Sequence, residues 1–471
     1  MKSSALTLAI GLAVTGVHGL TLEKRDNPNV VLFPIERSIG IPASGLRKRG
    51  TVETALNNEA FIYTVSIMLG TPPQSTRVQL DTGSSVLVVE TDSSNLCASQ
   101  PSVCSSRGAY DANSSSTYTY VNSQFSVGYV GGDGASGDYA LDVLNIGGAV
   151  LQGFELGIMY KTTVQEGIFG VSYPSDPSMA ASSLPIQLVQ QGYIPSRAFS
   201  IYLNDDQGAG GSILFGGVDT DKYIGDLVTI PFVPEVGSDS VTDASVSLNG
   251  VQYTDPSGNT AALPGTAGST PVSSILDTGT GNLILPQAIV SAISTVLNAD
   301  LSSPPSILVD CSLMYTSATI DFQFQGVTIP VPLSQVILPN DPGETSTECS
   351  LNIEAATDNT GVILGDAFLS SAYVVFDYDN QEASLAPVNF NSTSENILQI
   401  TSGPSAVPHV PGGGASSSTS GSIASSSSFL STSSSLATSS SSVLSSQHFQ
   451  QHFQQHVKHI IAHDLIKQCS V

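Results

Sequence analysis

The strongest constraint on the fold is a tetrapeptide that occurs twice. Asp81-Thr82-Gly83-Ser84 follows Val78-Gln79-Leu80, and Asp277-Thr278-Gly279-Thr280 follows Ile275 and Leu276. Each copy puts a carboxylate at the end of a predicted strand, on a glycine-containing turn with hydroxyl groups beside it. Ile168-Phe169-Gly170 and Ile363-Leu364-Gly365 then follow the two aspartates at nearly equal spacing. The sequence therefore predicts two duplicated halves that bring Asp81 and Asp277 together at a cleft between lobes.

Between residues 60 and 390 the pattern is typical of an all-β protein. Short apolar and β-branched runs alternate with Gly, Asp, Asn, Ser and Pro, which are turn residues. Helical periodicity is confined to a few segments. The clearest predicted strands are 61–69, 77–80, 283–285 and 373–377, and the clearest predicted helices are 184–191 and 288–297.

Length and charge limit the classes of function. A chain of 471 residues is long enough for two domains with additional segments. It carries 39 acidic against 14 basic residues, a formal net charge of −25. Such a surface repels nucleic acid and anionic lipid, and it suffers least self-repulsion where carboxylates are protonated. We therefore expect no nucleic-acid partner and an acidic working environment.

The N-terminal segment predicts export. Residues 1–20 contain Lys2, an apolar run over 5–17 and small residues after it, the order of a secretory signal peptide. A buried N-terminal helix is the alternative. Residues 21–49 end in Arg47-Lys48-Arg49 and are predicted to be a propeptide cut after this basic cluster, the alternative being a solvated charge run. No other stretch is apolar and long enough to predict an integral membrane span.

The cysteines fit an oxidising compartment. Cys97 and Cys104 lie in one half and Cys311 and Cys349 in the other, and we predict one local disulfide in each half, with Cys469 left over. None of the spacings resembles a zinc site. Sequons at Asn113 and Asn391 predict N-glycosylation and agree with export.

The C-terminal region has a different composition. Residues 396–446 are dominated by Ser, Thr, Gly and Ala and are predicted to be a disordered stalk, glycosylated or plain. In the tail 447–471, His448, His452 and His456 recur at helical spacing. A metal-binding stripe is one interpretation, but no second ligand set accompanies these histidines. We therefore favour a fortuitous or partner-binding tail, and we predict neither a metal nor a cofactor.

Two carboxyl groups in contact have a defined chemistry. They cannot both ionise cheaply, so they share one proton over an acidic range. The ionised group then takes a proton from water while the protonated group donates to a carbonyl oxygen. This chemistry requires neither a metal nor a nucleophilic serine. The sequence has no Gly-x-Ser-x-Gly elbow, and its histidines are His18 and others from His409 onward.

The sequence resembles the pepsin-like aspartic endopeptidases over residues 61–389. The motifs that carry the resemblance, besides those above, are Gly70-Thr71-Pro72-Pro73-Gln74, Phe199-Ser200-Ile201-Tyr202-Leu203, Gly216-Gly217-Val218-Asp219, Asp366, Phe376-Asp377 and Leu385-Ala386-Pro387. The resemblance implies a bilobal all-β fold with two barrel-like lobes at 50–235 and 236–395. It also implies that Thr82 and Thr278 brace the catalytic pair across the lobes, with Gly83, Ser84, Gly279 and Thr280 supporting the carboxylates. The two predicted disulfides match those of the family.

A hairpin is predicted over 125–146, with a glycine-rich tip around Asp133. In the family this hairpin is the flap that closes over substrate, and Tyr129 matches the flap tyrosine. An ordinary surface hairpin is the alternative. Where the family usually has a tryptophan that supports this tyrosine, the sequence has Val88, and Gly281-Asn282 replaces the usual pair after the second motif. These departures predict altered flap support and pocket polarity.

The serine-rich stalk resembles that of fungal cell-surface members akin to yapsins and candidapepsins. A lipid anchor needs an apolar C-terminal tail, and 447–471 is polar. We expect a monomeric protein that is secreted or associated with the cell surface or wall and that acts on polypeptide substrates. The competing hypotheses are a catalytically silent binding homologue and a cell-wall protein whose stalk is the functional part.

Overall fold

The computed structural model describes residues 29–39, 61–130, 132–172, 182–204, 210–235, 238–263, 271–302, 306–340, 347–357 and 361–407. The predicted signal peptide, the basic cluster 47–49, Cys469, most of the stalk and the histidine tail lie outside these ranges. In the part of the chain that is described, no helix has the length and hydropathy required to cross a membrane.

The first half of the chain is built mainly from strands. Its strands are β1 Val31–Ile39, β2 Phe61–Leu69, β3 Gln74–Asp81, β4 Leu87–Glu90, β5 Thr119–Gly128, β6 Gly134–Ile146, β7 Ala149–Thr162, β8 Gly167–Gly170, β9 Ala198–Leu203, β10 Gly211–Phe215, β11 Gly217–Asp219 and β12 Val228–Pro231. Its helices are α1 Asn95–Ser99, α2 Pro101–Arg107 and α3 Leu184–Gln190, with 3₁₀ turns at Ala112–Ser114 and Thr220–Lys222.

The second half has the same character. Its strands are β13 Ser245–Leu248, β14 Gly250–Thr254, β15 Thr260–Ala262, β16 Val272–Leu276, β17 Leu283–Leu285, β18 Leu308–Asp310, β19 Thr319–Phe324, β20 Val327–Pro332, β21 Ile337–Pro339, β22 Glu348–Leu351, β23 Ile353–Ala355, β24 Ile363–Leu364, β25 Ala372–Asp377, β26 Glu382–Pro387 and β27 Ile397–Gln399. Its helices are α4 Gln287–Val296, α5 Leu333–Val336 and α6 Asp366–Leu369, with a 3₁₀ turn at Cys311–Tyr315.

The predicted all-β class is confirmed. Strands β2 and β17 have the predicted bounds, and the predicted segments 77–80 and 373–377 lie inside β3 and β25. Helices α3 and α4 match the two predicted helices within one residue at each end. Pro286 is the N-cap of α4, where its missing N–H removes no intrahelical hydrogen bond.

The two halves repeat one local strand arrangement. In the first, β3 runs parallel to β8, with Asp81 opposite Gly170, and β4 runs antiparallel to β8. In the second, β16 runs parallel to β24, with Leu276 opposite Leu364, and β17 runs antiparallel to β24. Each tetrapeptide therefore lies at the end of a strand, β3 or β16. The parallel neighbour of that strand, β8 or β24, carries the second repeated motif. The equal spacing seen in the sequence reflects this shared topology.

One sheet joins strands from both halves of the described fold. Its strand order is β12-β26-β25-β9-β10-β1-β2-β3-β8-β4-β7-β6-β5. Strands β25 and β26, from the predicted C-terminal lobe, therefore pair with strands of the N-terminal lobe. Strand β1, from the predicted propeptide, lies between β10 and β2 and pairs with both. Phe33 of β1 is buried and stacks on Phe215 of β10, so this segment belongs to the apolar core of the described fold.

The folded part continues past residue 395, where the predicted C-terminal lobe ends. Strand β27 pairs with β11, and its neighbour Ile400 is fully buried. Ala406 and Val407 are buried in the same cluster, beside Tyr373. Residues 396–407 were predicted to belong to the stalk because short polar residues dominate the region. Instead, three of their apolar side chains, Ile400, Ala406 and Val407, pack into the apolar cluster that contains Tyr373 of β25.

The two disulfides join the predicted partners. Cys97 and Cys104 connect α1 to α2, and Cys311 and Cys349 connect the 3₁₀ turn after β18 to β22. The sequence separations are 7 and 38 residues. The Cys311–Cys349 disulfide closes the longer loop. It therefore lowers the conformational entropy of the unfolded chain more than the Cys97–Cys104 disulfide does.

We expect removal of the two disulfides to destabilise the protein unequally. Replacing Cys311 and Cys349 by alanine should lower the free energy of unfolding by about 4 kcal/mol, and replacing Cys97 and Cys104 by about 2 kcal/mol, because loop-closure entropy grows with loop length. Urea unfolding of the two double variants beside the wild type measures both values. Equal losses, or a larger loss at Cys97 and Cys104, would contradict the prediction.

Candidate active site

Asp81 and Asp277 lie at the ends of equivalent strands and face each other across the lobes. Their side chains are 5% and 8% exposed. A β-carbon added to Gly83 would lie 2.6 Å from Asp277 Oδ1, and one added to Gly279 would lie 2.5 Å from Asp81 Oδ1. Each glycine therefore contacts the carboxylate of the other half. Any larger residue at either position would push the two carboxyl groups apart.

A reciprocal set of hydrogen bonds holds the two turns together. The Thr82 N–H donates to Thr278 Oγ1 (3.1 Å), and the Thr278 N–H donates to Thr82 Oγ1 (3.0 Å). The Thr82 hydroxyl donates to the Leu276 carbonyl (2.8 Å), and the Thr278 hydroxyl donates to the Leu80 carbonyl (2.9 Å). Both threonines are fully buried. The two threonine hydroxyls thus satisfy two buried backbone groups of each half, four in all, which fixes the lobes in register at the aspartates.

Each carboxylate also has donors within its own turn. Asp81 Oδ1 accepts from the N–H groups of Gly83 (2.8 Å) and Ser84 (3.2 Å), and its Oδ2 accepts from the Ser84 hydroxyl. Asp277 Oδ1 accepts from the Gly279 N–H (2.8 Å), and its Oδ2 accepts from the Thr280 hydroxyl (2.6 Å). These donors orient the planes of the two carboxyl groups.

The carboxyl groups of Asp81 and Asp277 are hydrogen-bonded to each other, which requires a proton on one of them. Burial raises the pKa of Asp81, and the adjacent Asp277 charge raises it further, against the Ser84 and Gly83 hydrogen bonds that favour the ionised form. The pair therefore keeps one proton well above the pH at which an exposed aspartate loses its own.

A third carboxyl group lies close to the pair. Asp366 begins α6, directly after Gly365, and is 5% exposed. No hydrogen bond reaches either of its carboxyl oxygens from the described residues. Burial raises its pKa well above the usual value, with further increases from Asp277 and Asp81 and a decrease from Arg37 of β1. Asp366 is therefore held neutral, because an ionised carboxylate there would have no donor to compensate its desolvation.

The predicted flap is a hairpin formed by β5 and β6, in which Gly128 pairs with Gly134. At its tip the Tyr129 N–H donates to the Asp133 carbonyl (2.8 Å). Tyr129 is half-buried and lines the same cavity as Asp81 and Asp277. Burial and the nearby Asp81 charge raise its pKa, so the phenol stays protonated. The hairpin thus carries Tyr129 over the aspartate pair.

Val88, which stands where the family usually has tryptophan, is fully buried under the flap. It packs in a cluster with Val86, Phe125, Ala135 and Met159. Phe125 of β5 makes an edge-to-face contact with Tyr139 of β6 at 5.3 Å between ring centroids. Apolar packing through Phe125 and Val88 therefore supports the base of the flap, where an indole would also bring a polar N–H group.

The cleft between the halves is large and acidic. Its cavity has a volume of about 520 Å³. Besides the aspartate pair and Tyr129, its titratable lining residues are Asp133, Glu166, Glu235 and Asp243. No lysine or arginine among the described residues lines it.

Arg107 of α2 is a buried cation next to this cavity, because it contacts the lining residue Glu166. Its guanidinium lies 3.5 Å from Glu90 Oε1 and 3.9 Å from Glu166 Oε2, and it also donates to the Gln165 carbonyl. Two glutamates share one arginine, so burial still raises the pKa of Glu166 to about 7 despite the attraction of Arg107.

Glu90 also lies beside Cys97 and Cys104, but these cysteines form a disulfide and offer no thiolate to a metal.

Two aspartates at the ends of equivalent strands, close together across a cleft and covered by a hairpin, are the arrangement that an aspartic-type peptidase requires. Comparison with known families agrees. Residues 62–388 match the model of the family "Eukaryotic aspartyl protease". The chain belongs to this family, which confirms the resemblance found in the sequence.

Several fungal proteins are similar over most of their length. The protein named "Probable aspartic-type endopeptidase opsB" of Aspergillus oryzae is 38% identical over 427 residues, covering 87% of this chain and 86% of the relative. "Aspartic proteinase 3" of Saccharomyces cerevisiae is 31% identical, covering 90% and 89%. "Secreted aspartic protease 3" of Candida albicans is 33% identical, covering 75% and 86%.

Sequence reasoning missed four acidic residues of the site. Asp366 stands inside a motif used for the resemblance, but a single buried aspartate has no local pattern that indicates a role. Glu166 directly precedes the first Gly-Ile-Phe-Gly strand, so its position next to the cleft was predictable from that strand. Glu235 and Asp243 lie in a loop without regular pattern, and only the tertiary structure brings them together.

We expect the protein to lose stability as the pH rises from about 4.5 to 7. The pKa of Glu166 and that of Glu235 are raised to about 7, and those of Asp81 and Asp366 are raised as well. In this range the folded state binds more protons than the unfolded state, so the free energy of unfolding falls with pH. Thermal unfolding at a series of pH values measures the slope.

A Glu166→Gln variant isolates the contribution of Glu166 to this pH dependence of stability. Because an amide does not titrate, the variant should lose less stability than the wild type over the same range, by on the order of 3 kcal/mol if the shift of Glu166 is fully expressed. The exposed Asp239→Asn serves as the control and should follow the wild-type curve. A wild-type stability that rises over this range would refute the assignment of buried neutral carboxyl groups.

Proposed function

We propose that this protein is an exported endopeptidase that hydrolyses peptide bonds of extended polypeptides at acidic pH. In this proposal Asp81 and Asp277 are the catalytic pair. The observation that carries it is the close approach of these two buried carboxyl groups, each against the glycine of the opposite turn, inside a cleft of about 520 Å³. Membership of the aspartyl protease family supports the same reaction class.

The geometry supports a single-displacement mechanism. With one proton on the pair, the ionised carboxylate accepts a proton from a water molecule while the protonated carboxyl donates to the scissile carbonyl oxygen. Water attacks the carbonyl carbon directly, and no covalent enzyme intermediate forms. The fixed donors from Gly83, Ser84, Gly279 and Thr280 keep both carboxyl planes aligned during this exchange. Closure of the flap with Tyr129 would exclude bulk water.

Two competing hypotheses are less well supported. A catalytically silent binding protein would not need both carboxyl groups, all four threonine hydrogen bonds and the donors to each carboxylate. A cell-wall protein that acts through its stalk would not need a site at all, and removal of residues 60–390 would then leave its activity unchanged.

An Asp277→Asn substitution tests the mechanism. We expect hydrolysis of denatured protein at about pH 4 to fall by about 10²–10⁴-fold, because the amide can neither share the proton nor accept one from water. The wild-type activity should also be blocked by a statine-type inhibitor. Assays of both proteins with the same substrate measure the loss.

Asp226→Asn is the matched control. Asp226 is exposed and does not line the cleft, so the same chemical change there should leave the rate unchanged. Full activity of Asp277→Asn, with a thermal unfolding temperature equal to that of the wild type, would exclude the proposed mechanism.

Export and processing complete the proposal. The signal segment 1–20, the two disulfides, the sequon at the exposed Asn113 and the acidic surface all suit a secreted protein. Cleavage after Arg49 would separate β1 covalently from β2 while the pairing of β1 with both neighbours remained. Association with the cell surface or wall through the serine-rich stalk, glycosylation at Asn391 and a monomeric state are further parts of the proposal.

We expect the secreted enzyme from a fungal host to begin at Gly50. Replacing Arg47, Lys48 and Arg49 by alanine should remove this cut, because the dibasic recognition site is lost, and the N-terminus should then lie upstream of Val31. N-terminal sequencing and intact mass after deglycosylation measure both results. A wild-type protein that retains residues 21–49 covalently would contradict the propeptide assignment.

A further inference from the structure

The two strands of the flap are held differently near its tip. Strand β5 is the edge of its sheet and pairs with β6, whereas β6 also pairs with β7. The pairing of β6 with β7 ends where Ala135 lies opposite Thr162, one residue short of Gly134. The position of the tip therefore depends on what holds Gly134 beyond the end of β7.

Thr163, the residue that follows β7, binds both backbone polar groups of Gly134. The Thr163 N–H donates to the Gly134 carbonyl (3.0 Å), and the Gly134 N–H donates to the Thr163 hydroxyl (2.9 Å). A side-chain oxygen thus supplies the acceptor that the carbonyl of a further strand residue would supply. A side chain without an oxygen at position 163 could not accept this hydrogen bond.

Gly134 is connected to the flap tyrosine by short contacts. Asp133 precedes Gly134 in the chain, and its carbonyl accepts from the Tyr129 N–H (2.8 Å). The Gly132 N–H donates back to the Tyr129 carbonyl (3.2 Å). Because Tyr129 lines the cavity with the aspartate pair, a displacement of Gly134 would also displace a side chain of the site.

Thr163 is held in turn through the residue before it. The Thr162 N–H donates to Asn95 Oδ1 (2.8 Å), and the Thr162 carbonyl accepts from Asn95 Nδ2 (2.8 Å). The side-chain amide of Asn95 therefore pairs with the backbone of Thr162 as a neighbouring strand would. Two hydrogen bonds of opposite direction fix the end of β7 at this point.

Asn95 is itself well anchored. It is the first residue of α1, and the preceding Ser94 caps this helix by accepting from the Cys97 N–H (3.0 Å). The disulfide between Cys97 and Cys104 joins α1 to α2. The two helices thus form one covalently closed segment from which the Asn95 side chain reaches β7.

The same α1–α2 segment makes further contacts with the chain after β7. Gln100, between the two helices, donates to Gln165 Oε1 (3.3 Å), and Gln165 Nε2 donates to the Thr163 carbonyl (3.0 Å). Arg107 at the end of α2 donates to the Gln165 carbonyl. Thr163 is therefore fixed on both sides before it binds the flap.

We propose that Asn95 and Thr163 are positioning residues, which hold the flap tip over the aspartate pair by way of Gly134. This inference rests on the proposed peptidase function. Without these contacts the bound polypeptide would have to order the flap, and part of the binding free energy would be lost to that ordering. Asn95 does not line the cavity, so it acts through Thr162 and Thr163.

Thr163→Val tests the inference, because it removes the hydroxyl and keeps the branched shape. We expect kcat/KM for an extended peptide to fall about fivefold, the effect of one ordinary hydrogen bond. The loss should appear as a higher KM at nearly unchanged kcat, since the flap is ordered on binding and stays ordered in the transition state. Thr163→Ser keeps the hydroxyl and should retain the wild-type KM.

Two further variants complete this kinetic test. Asn95→Ala should raise KM as Thr163→Val does, and because Asn95 lies outside the cavity, this result excludes a direct contact with substrate as the cause. Thr328→Val is the matched control. Thr328 is an exposed residue of β20 outside the cavity, so the same chemical change there should leave KM unchanged.

Hydrogen exchange supplies a readout that does not depend on turnover. The Gly134 amide should exchange about fivefold faster in Thr163→Val than in the wild type, because its acceptor is lost. Thr163→Ser and Thr328→Val should exchange at the wild-type rate. NMR of protein labelled with ¹⁵N-glycine measures this amide.

Three results would overturn the inference. The first is an unchanged KM and an unchanged Gly134 exchange rate in Thr163→Val. The second is an equal effect of Thr163→Ser, which would exclude the hydroxyl as the cause. The third is a lower kcat at the wild-type KM, because a smaller folded fraction reduces the number of active molecules without changing their affinity.

The two proposals fail in different ways. If the wild type cleaves peptides but neither KM nor Gly134 exchange responds to Thr163→Val, the positioning role is wrong and the peptidase function stands. If the wild type cleaves no peptide, the peptidase function is wrong whatever the exchange rates are, and the positioning role falls with it.

Discussion

The reciprocal threonine hydrogen bonds between the two halves are the constraint on which the rest of the site depends. Thr82 and Thr278 each donate to and accept from the opposite half, and both are fully buried. Since buried polar groups are costly to leave unpaired, the halves can meet only in the register that satisfies all four bonds. In that register Gly83 and Gly279 face the opposite carboxylates, and the two aspartates are brought into contact.

That contact organises the electrostatics of the cleft. Asp81 holds a proton because of burial and the neighbouring charge, and Asp366 is kept neutral nearby by the same two effects. Glu235, which is exposed and lines the same cleft, has a raised pKa for a different first cause, its hydrogen bond to Asp243. The protein thus concentrates carboxyl groups around a cleft that no lysine or arginine of the described residues lines. This is tolerable where the groups share protons, and it favours both folding and the proposed catalysis in acid.

Much of the fold was predictable because its signals are local. Strand bounds such as Phe61–Leu69 and Leu283–Leu285 follow from alternating apolar residues and turn residues over a few positions. The position of β1 was not predictable in the same way. Its apolar residues indicate a strand, but its pairing with β2 and β10 is a long-range contact that leaves no mark in the segment itself. Burial of Ile400, Ala406 and Val407 escaped prediction for the same reason.

The sequence by itself determined which residues carry the proposed chemistry: two aspartates on equivalent turns, repeated with the strands that support them, indicate one proton shared between two carboxyl groups. Only the tertiary structure decided the surroundings of that pair. It placed Asp366 close to it, packed Phe125 and Val88 under the flap, and joined Glu235 to Asp243 beside the cleft. The physical reason is that a repeated motif can be recognised along the chain, whereas proton sharing and packing depend on distances between side chains that only the folded chain sets.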